Sequence, residues 1–471
     1  MKQKIEYEKK EENGKIILYN KTMKSCVGEV FQNCVYSLDG TTCYGLDPTI
    51  NHYDSPEIEN LLIKPGVKEI DNFAFSAGTT YIEIKNVHLP PSVEKIGKKA
   101  FYGSNIESIN LENVLFFGTA AFKETKLEVV EINKNAKFEK TSSPSELFQH
   151  CDNLRAVIFH PEEVPDGMCC DCTNLDILVL QNVRDIGDMA FKNCKALTHF
   201  DAPDTLKTVG CAAFANSGLV DFHAGPMLDR IGVNAFYRCE NLQTVTFEEN
   251  ETKGERLDLL KGCFQESAIK EIILPTRTTG IQTAAFKNCN ELRSLIIKGP
   301  VLTLHSEMAS GCEKLSTVEL HPETWYIENN CFYKTNLARV DEQFKNIHYF
   351  GSCCFKYCDN LMFVHTYEDA DIAKECFASC DKLDIAVIEG NKVVSSAFMD
   401  SNKNMTLIAP NLEDKKQTFK KTHDSNKEIK NQKISSENIK DLLDYMSFKE
   451  IMKLPVKEEI IAAVPTAEPA K

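Results

Sequence analysis

The sequence predicts a repeat solenoid: a parallel β-sheet with one short strand per coil of roughly 23 residues, about 15 coils, and short helical turns or extended segments on the other faces. Two observations predict it. A small residue followed by phenylalanine recurs as Ala74-Phe75, Ala100-Phe101, Ala121-Phe122, Ala190-Phe191, Ala213-Phe214, Ala235-Phe236, Ala285-Phe286 and Ala397-Phe398. With the variants Leu147-Phe148, Met168-Cys169, Cys263-Phe264, Met308-Ala309, Cys331-Phe332, Cys354-Phe355 and Cys376-Phe377 there are 15 copies, 21 to 28 residues apart. Five or six residues after each doublet, an apolar residue opens the pattern L-x-x-[LV]-x-[LFI], as in Leu154-Val157-Phe159, Leu175-Leu178-Leu180 and Leu292-Leu295-Ile297.

The last two positions of that pattern alternate with period two, which marks a short half-buried strand. Strands stacked in register make a parallel sheet whose backbone groups pair with the next coil. Pro161, Pro203, Pro275, Pro300 and Pro322 follow or nearly follow the strand, where a residue without an N–H ends the ladder. Between that turn and the next doublet, a segment such as Val93 to Phe101 has room for a second extended piece and a short helical turn, and Gly97, Gly187, Gly210 and Gly232 recur there.

These residues resemble the BspA-type leucine-rich repeat, most closely in LPPSVEKIGKKAFYGSNIESINL from Leu89 to Leu111. The resemblance covers residues from about 65 to 410 and implies a curved right-handed leucine-rich-repeat solenoid used in binding or adhesion, often in parasitic protists and host-associated bacteria. It implies no catalytic residues. Departures from the pattern, Cys169 and Ala309 in place of phenylalanine and Glu342 and Thr366 at the last inward strand position, predict looser coils. Asn133 to Glu146 and the acidic Glu248 to Glu255 read as surface loops on one edge.

The ends differ from the middle. Residues 1–64 read as an N-terminal cap with a possible extra copy at Phe31 to Cys34, residues 65–410 as the solenoid and 411–435 as a polar linker. Ile439, Leu442, Leu443 and Met446 mark one face of an amphipathic helix over 436–454, and 455–471 reads as a disordered tail.

Composition narrows the function. The chain carries 54 basic and 69 acidic residues, a net charge of −15, which argues against a general grip on nucleic acid. No apolar run approaches the roughly 20 residues of a membrane span, and the charged first residues lack the apolar centre of a secretory signal. Cytoplasmic residence is therefore expected, with cell-surface placement by unconventional export as the alternative.

Nineteen cysteines in such a chain read as reduced thiols. Eight of them (Cys151, Cys172, Cys194, Cys239, Cys289, Cys312, Cys358 and Cys380) stand three residues after the phenylalanine position, and Cys263, Cys331, Cys354 and Cys376 take the small position before it. That register explains them as small buried side chains rather than zinc ligands, so no metal, cofactor or catalytic thiol is expected.

Function is then expected on the outward columns of the sheet, two and four residues after the first leucine of each strand. Val129, Ala156, Ile158, Ile177 and Val179 form one apolar group, and Phe363, Ile385 and Val387 a second. A contiguous exposed apolar surface marks a contact site. Between them His199, Asp201, Asp221 and His223 form a two-by-two block of imidazoles and carboxylates, able to act as a pH-sensitive contact or to hold a divalent metal, or to be an ordinary solvated patch. Glu319, Arg339, Asp341 and His365 supply charged rims. The expected role is a non-enzymatic, monomeric scaffold binding a protein or peptide partner. The alternatives are a BspA-type surface adhesin or antigen and a parallel β-helix-like enzyme acting on polysaccharide.

Overall fold

The computed structural model describes residues 7–12, 15–20, 34–36, 40–46, 57–77, 83–249, 256–390, 392–394, 396–402 and 405–409. Phe31 and the segments 411–435, 436–454 and 455–471 lie outside them.

Each coil contributes three pieces. The L-x-x-[LV]-x-[LFI] segment forms a strand of up to six residues, such as Ala156–Phe159, Ile177–Leu180 or Ser294–Ile297, hydrogen-bonded in parallel register to its copies. A second strand, of two residues in most coils, lies before the doublet, as in Lys95–Ile96, Tyr326–Ile327 and Tyr349–Phe350. The doublet itself lies on a turn. Of the helical turns or extended segments expected on the other faces, the extended pieces form, and the one 3-10 helix among the described residues is Glu342–Phe344.

The turn has its own ladder. In the copy centred on Phe191, the N–H groups of Met189, Phe191 and Asn193 donate to Cys211, Ala213 and Ala215 of the next coil at 2.8, 2.8 and 2.9 Å. Alternate N–H groups face the same neighbour because Met189 and Asn193, two residues before and after the phenylalanine, adopt left-handed φ values of 54° and 61°. The same pair recurs through the described coils, mostly at residues other than glycine, for which this conformation costs roughly 1 kcal/mol. Hydrogen bonds and packed rings offset that cost. From Phe75 to Phe377 every residue at the phenylalanine position donates its N–H to the small residue of the following doublet.

Inside, the rings stack at 5.1 to 5.7 Å from Phe75 to Phe148, from Phe191 to Phe286 and from Phe332 to Phe398. The two interruptions are Met168-Cys169 and Met308-Ala309, where the large residue moves to the small position and all four side chains remain buried. Glu342 likewise gives way to Phe344, which packs edge-on against Phe332 and Phe355. Gly210 and Gly232 stack α-carbon on backbone, since a Cβ on either would lie 2.6 Å from the carbonyl carbon of the glycine one coil earlier.

The long-strand sheet is interrupted between Ile109 and Val129, between Leu180 and Asp221, and between Glu319 and Arg339; the short-strand sheet breaks between Phe138 and Glu163 and between Ile281 and Thr303. No two breaks fall between the same pair of doublets, so each neighbouring pair keeps at least one sheet ladder besides the turn ladder. At the N-terminal end Cys34–Tyr36 and Thr42–Leu46 form an antiparallel pair, and the latter joins Glu69–Ile70 in parallel. Parallel ladders thus begin inside the stretch read as the cap.

Two supposed surface loops are partly structural. Lys137–Phe138 is a short strand whose ring stacks between Phe117 and Phe159, 5.8 Å from each. In the widened coil, Glu249 bonds the Thr276 hydroxyl at 2.8 Å, and the buried Arg277 reaches past the insertion to the carbonyls of Leu228 and Gly225.

The cysteine register acquires a chemical reason. All eight thiols three residues after the phenylalanine position are buried and donate to the carbonyl at that position of the preceding coil, at 3.0 to 3.3 Å. Ser401 makes the same bond to Phe377 at 2.6 Å. Where Ser104, Thr125 or Thr335 stands instead, the hydroxyl bonds the phenylalanine carbonyl of its own coil. The position therefore selects a small donor.

Candidate interaction surfaces

The long-strand sheet positions the first expected group on three paired strands, Val129–Ile132, Ala156–Phe159 and Ile177–Leu180. Val129 and Val179 are half-buried and Ile177 is 44% exposed. Ala156 and Ile158, expected to be exposed, are buried, Ile158 to 5%. They occupy the central strand, where Val129 and Ile177 flank Ala156 and Glu131 and Val179 flank Ile158 in register. Side chains about 4.8 Å to either side close over a central position. His160 closes the next row by bonding Glu131 and Gln181, each at 3.0 Å.

The second group is covered further. Phe363 and Val387, also expected to be exposed, are fully buried, while Ile385 is half-buried. The Arg339 guanidinium lies 4.9 Å from the centre of the Phe363 ring and is held by Asp341 at 2.5 Å. His365 is buried against Tyr367, its Nε2 2.7 Å from Glu389, and the Tyr367 hydroxyl donates to Glu342 at 2.9 Å. Burial and the neighbouring carboxylate push the Tyr367 phenol well above its ordinary value. A polar lid thus replaces the expected apolar face.

The imidazole–carboxylate block assembles in half. His199 Nδ1 lies 2.9 Å from Asp221, but His223 bonds the Thr246 hydroxyl at 2.7 Å instead of meeting Asp201, which is exposed. The strand expected at Thr198 to Asp201 does not form. Phe200 and Phe222 nevertheless keep the same inward position in adjacent coils, their rings stacked with centres 5.9 Å apart. Among the described residues no group of three or more potential metal ligands comes together.

A surface that the sequence reading passed over lies on the short-strand side. Leu302, Trp325 and His348 stack in one column, tied by Trp325 N–H to Leu302 and His348 N–H to Trp325 at 3.0 and 2.8 Å, and Thr303, Tyr326 and Tyr349 stand in the next. Leu302 is 51% and Trp325 41% exposed. Beside them opens a concavity of about 530 Å³ whose lining includes Pro322, Trp325, Lys345, His348, Tyr367, Glu368, Asp369 and Glu389. The available signal was the recurrence of Trp325-Tyr326 as His348-Tyr349 one coil later, each ahead of a buried Ile327 or Phe350.

Among the described residues no helix is long and apolar enough to cross a membrane. A comparison with curated protein sequences finds no match. Among solved structures the chain is similar to a leucine-rich repeat protein from Bacteroides ovatus, at 20% identity and a TM-score of 0.57, covering 87% of this chain and 99% of that one. It is also similar to a leucine rich cell surface protein from Faecalibacterium prausnitzii, at 18% identity, a TM-score of 0.40 and coverage of 86% and 99%. The pneumococcal vaccine antigen PcpA matches at 15% identity and a TM-score of 0.40, with coverage of 86% and 98%. The first likeness shows a shared fold. The family profile for the BspA type leucine rich repeat region matches residues 50–166, 162–292 and 257–384, and so spans most of the 15 doublets that set the period. The chain belongs to the BspA-type leucine-rich repeat family.

Proposed function

We propose that the protein is a non-enzymatic scaffold, cytoplasmic and monomeric, that presents its long-strand sheet to a protein or peptide partner. The observation that carries this reading is Ile177. A β-branched apolar side chain stands 44% exposed beside half-buried Val179, on a strand whose copy in the next coil is interrupted, over a core that fixes its position. His199 and Asp221 form the polar rim across the interruption. Family membership supports binding over catalysis, and the enzyme alternative loses its one acid–base cluster because Asp201 and His223 do not join it.

The double substitution Val129→Lys with Ile177→Lys tests this reading and leaves the buried Ile158 untouched. Folding should survive, and a partner captured from lysate by the wild-type protein should be lost. Retention of every partner at wild-type strength by a folded double variant overturns it. Adhesin or antigen function at the cell surface is the second reading and takes its support from the family. Biotinylation of intact cells with a membrane-impermeant reagent decides between the two locations.

A further inference from the structure

We infer that the concavity at Trp325 binds a cationic, arginine- or lysine-bearing peptide segment of a partner protein. Its charged groups are already sorted. Lys345 lies 3.6 Å from Glu342, and Glu389 is held by His365 at 2.7 Å. Glu368 and Asp369, on the turn that follows Tyr367, are exposed and make no ion pair among the described residues. Two carboxylates without a counter-charge thus line the same concavity as an indole that is 41% exposed, with His348 packed edge-on at 5.9 Å.

A guanidinium or ammonium group satisfies both features at once, because a cation is attracted to the indole face and to the carboxylates. A neutral sugar would stack on the indole and donate hydroxyls to the carboxylates but leave their charge uncompensated. The apolar column continues from Trp325 to Leu302 one coil away, with Tyr326 and Tyr349 in the column beside it, so the surface offers more than a single-side-chain pocket. The surface is distinct from Ile177 and its neighbours.

Trp325 is the only tryptophan in the sequence, so fluorescence excited at the red edge, where tyrosine does not absorb, reports this site alone. The full-length chain is titrated at low salt with a capped octapeptide alternating glycine and arginine, with its counterpart bearing glutamine for arginine, and with cellohexaose. The arginine peptide should give a saturable change, with affinity about tenfold above the glutamine peptide and falling with salt. By calorimetry, Glu368→Gln with Asp369→Asn should weaken binding about tenfold and flatten the salt dependence, and Trp325→Leu should also weaken it about tenfold. Circular dichroism melting should be unchanged in both variants. Equal affinity for the two peptides, no binding of the arginine peptide, an undiminished affinity in the carboxylate variant, or tighter binding of cellohexaose would overturn the assignment. None of these outcomes bears on partner capture through Ile177.

Discussion

The Cys289 thiol donates to the carbonyl oxygen of Phe264, one coil earlier, across 3.1 Å. That carbonyl also accepts the N–H of Ser267 at 3.1 Å, so the thiol is a second donor to a buried backbone acceptor. The relationship repeats at each of the eight cysteines in this register. It converts a row of small residues into a column of side-chain bonds linking coil to coil.

The bond at Cys239 gives the first test. Its thiol donates to Phe214 at 3.1 Å with Ser217 at 3.5 Å. Cys239→Ala should cost about 1–2 kcal/mol through the lost donor, and Cys239→Ser should cost less, because serine already serves at Ser401. Local opening energies from hydrogen exchange are the appropriate measure in a stack of coils.

Truncating a ring in the stack should cost more. Phe286 is fully buried and stacked 5.7 Å from Phe264. Phe286→Ala should destabilise by about 3–5 kcal/mol, with lost protection concentrated in the coils of Phe264 and Met308. Unchanged exchange there would remove Phe286 from the core.

The widened coil has its own fastening. Arg277 donates to two carbonyls, of Leu228 and Gly225, on the far side of the insertion. Arg277→Ala should cost about 1–3 kcal/mol, chiefly by taking the donor from the Leu228 carbonyl, since the Gly225 carbonyl keeps the Leu228 N–H at 3.4 Å, and Arg277→Lys should recover little, since one ammonium does not reproduce the guanidinium fork. Thermal melts of the three proteins, with exchange read over residues 225–281, check the ranking.

Alkaline pH should loosen the solenoid. Burial pushes the Cys239 thiol up to about 11 and that of Cys358 up to about 12, whereas an unfolded thiol ionises near 8.5. Below about 8.5 both states hold the proton and the stabilisation is complete. Above it the unfolded chain releases protons that the folded one keeps, so stability falls by about 1.4 kcal/mol per pH unit for each thiol, up to its folded value. Urea unfolding at pH 7.5, 8.5 and 9.5 should show the decline, and Cys239→Ser should reduce its slope. A flat profile would mean that the thiols are not buried in the folded state.

The period, the inward set and the thiol register were legible in the sequence because each is a property of spacing along one coil repeated many times. Phe75, Phe101 and Phe122 declare their layer wherever the neighbouring coils lie. The outward face was legible only in part. Ile158 and Ile177 have the same chemistry and both lie at outward positions of their strands, yet one is buried and the other exposed, because Glu131 and Val179 flank the first while the strand beside the second does not form. The left-handed turn, the Arg339 lid over Phe363 and the concavity at Trp325 likewise arise between coils. Sequence by itself determined what each layer buries; only the stacking of layers decided what the surface offers, because exposure depends on neighbours some 20 residues away along the chain and about 4.8 Å away in space.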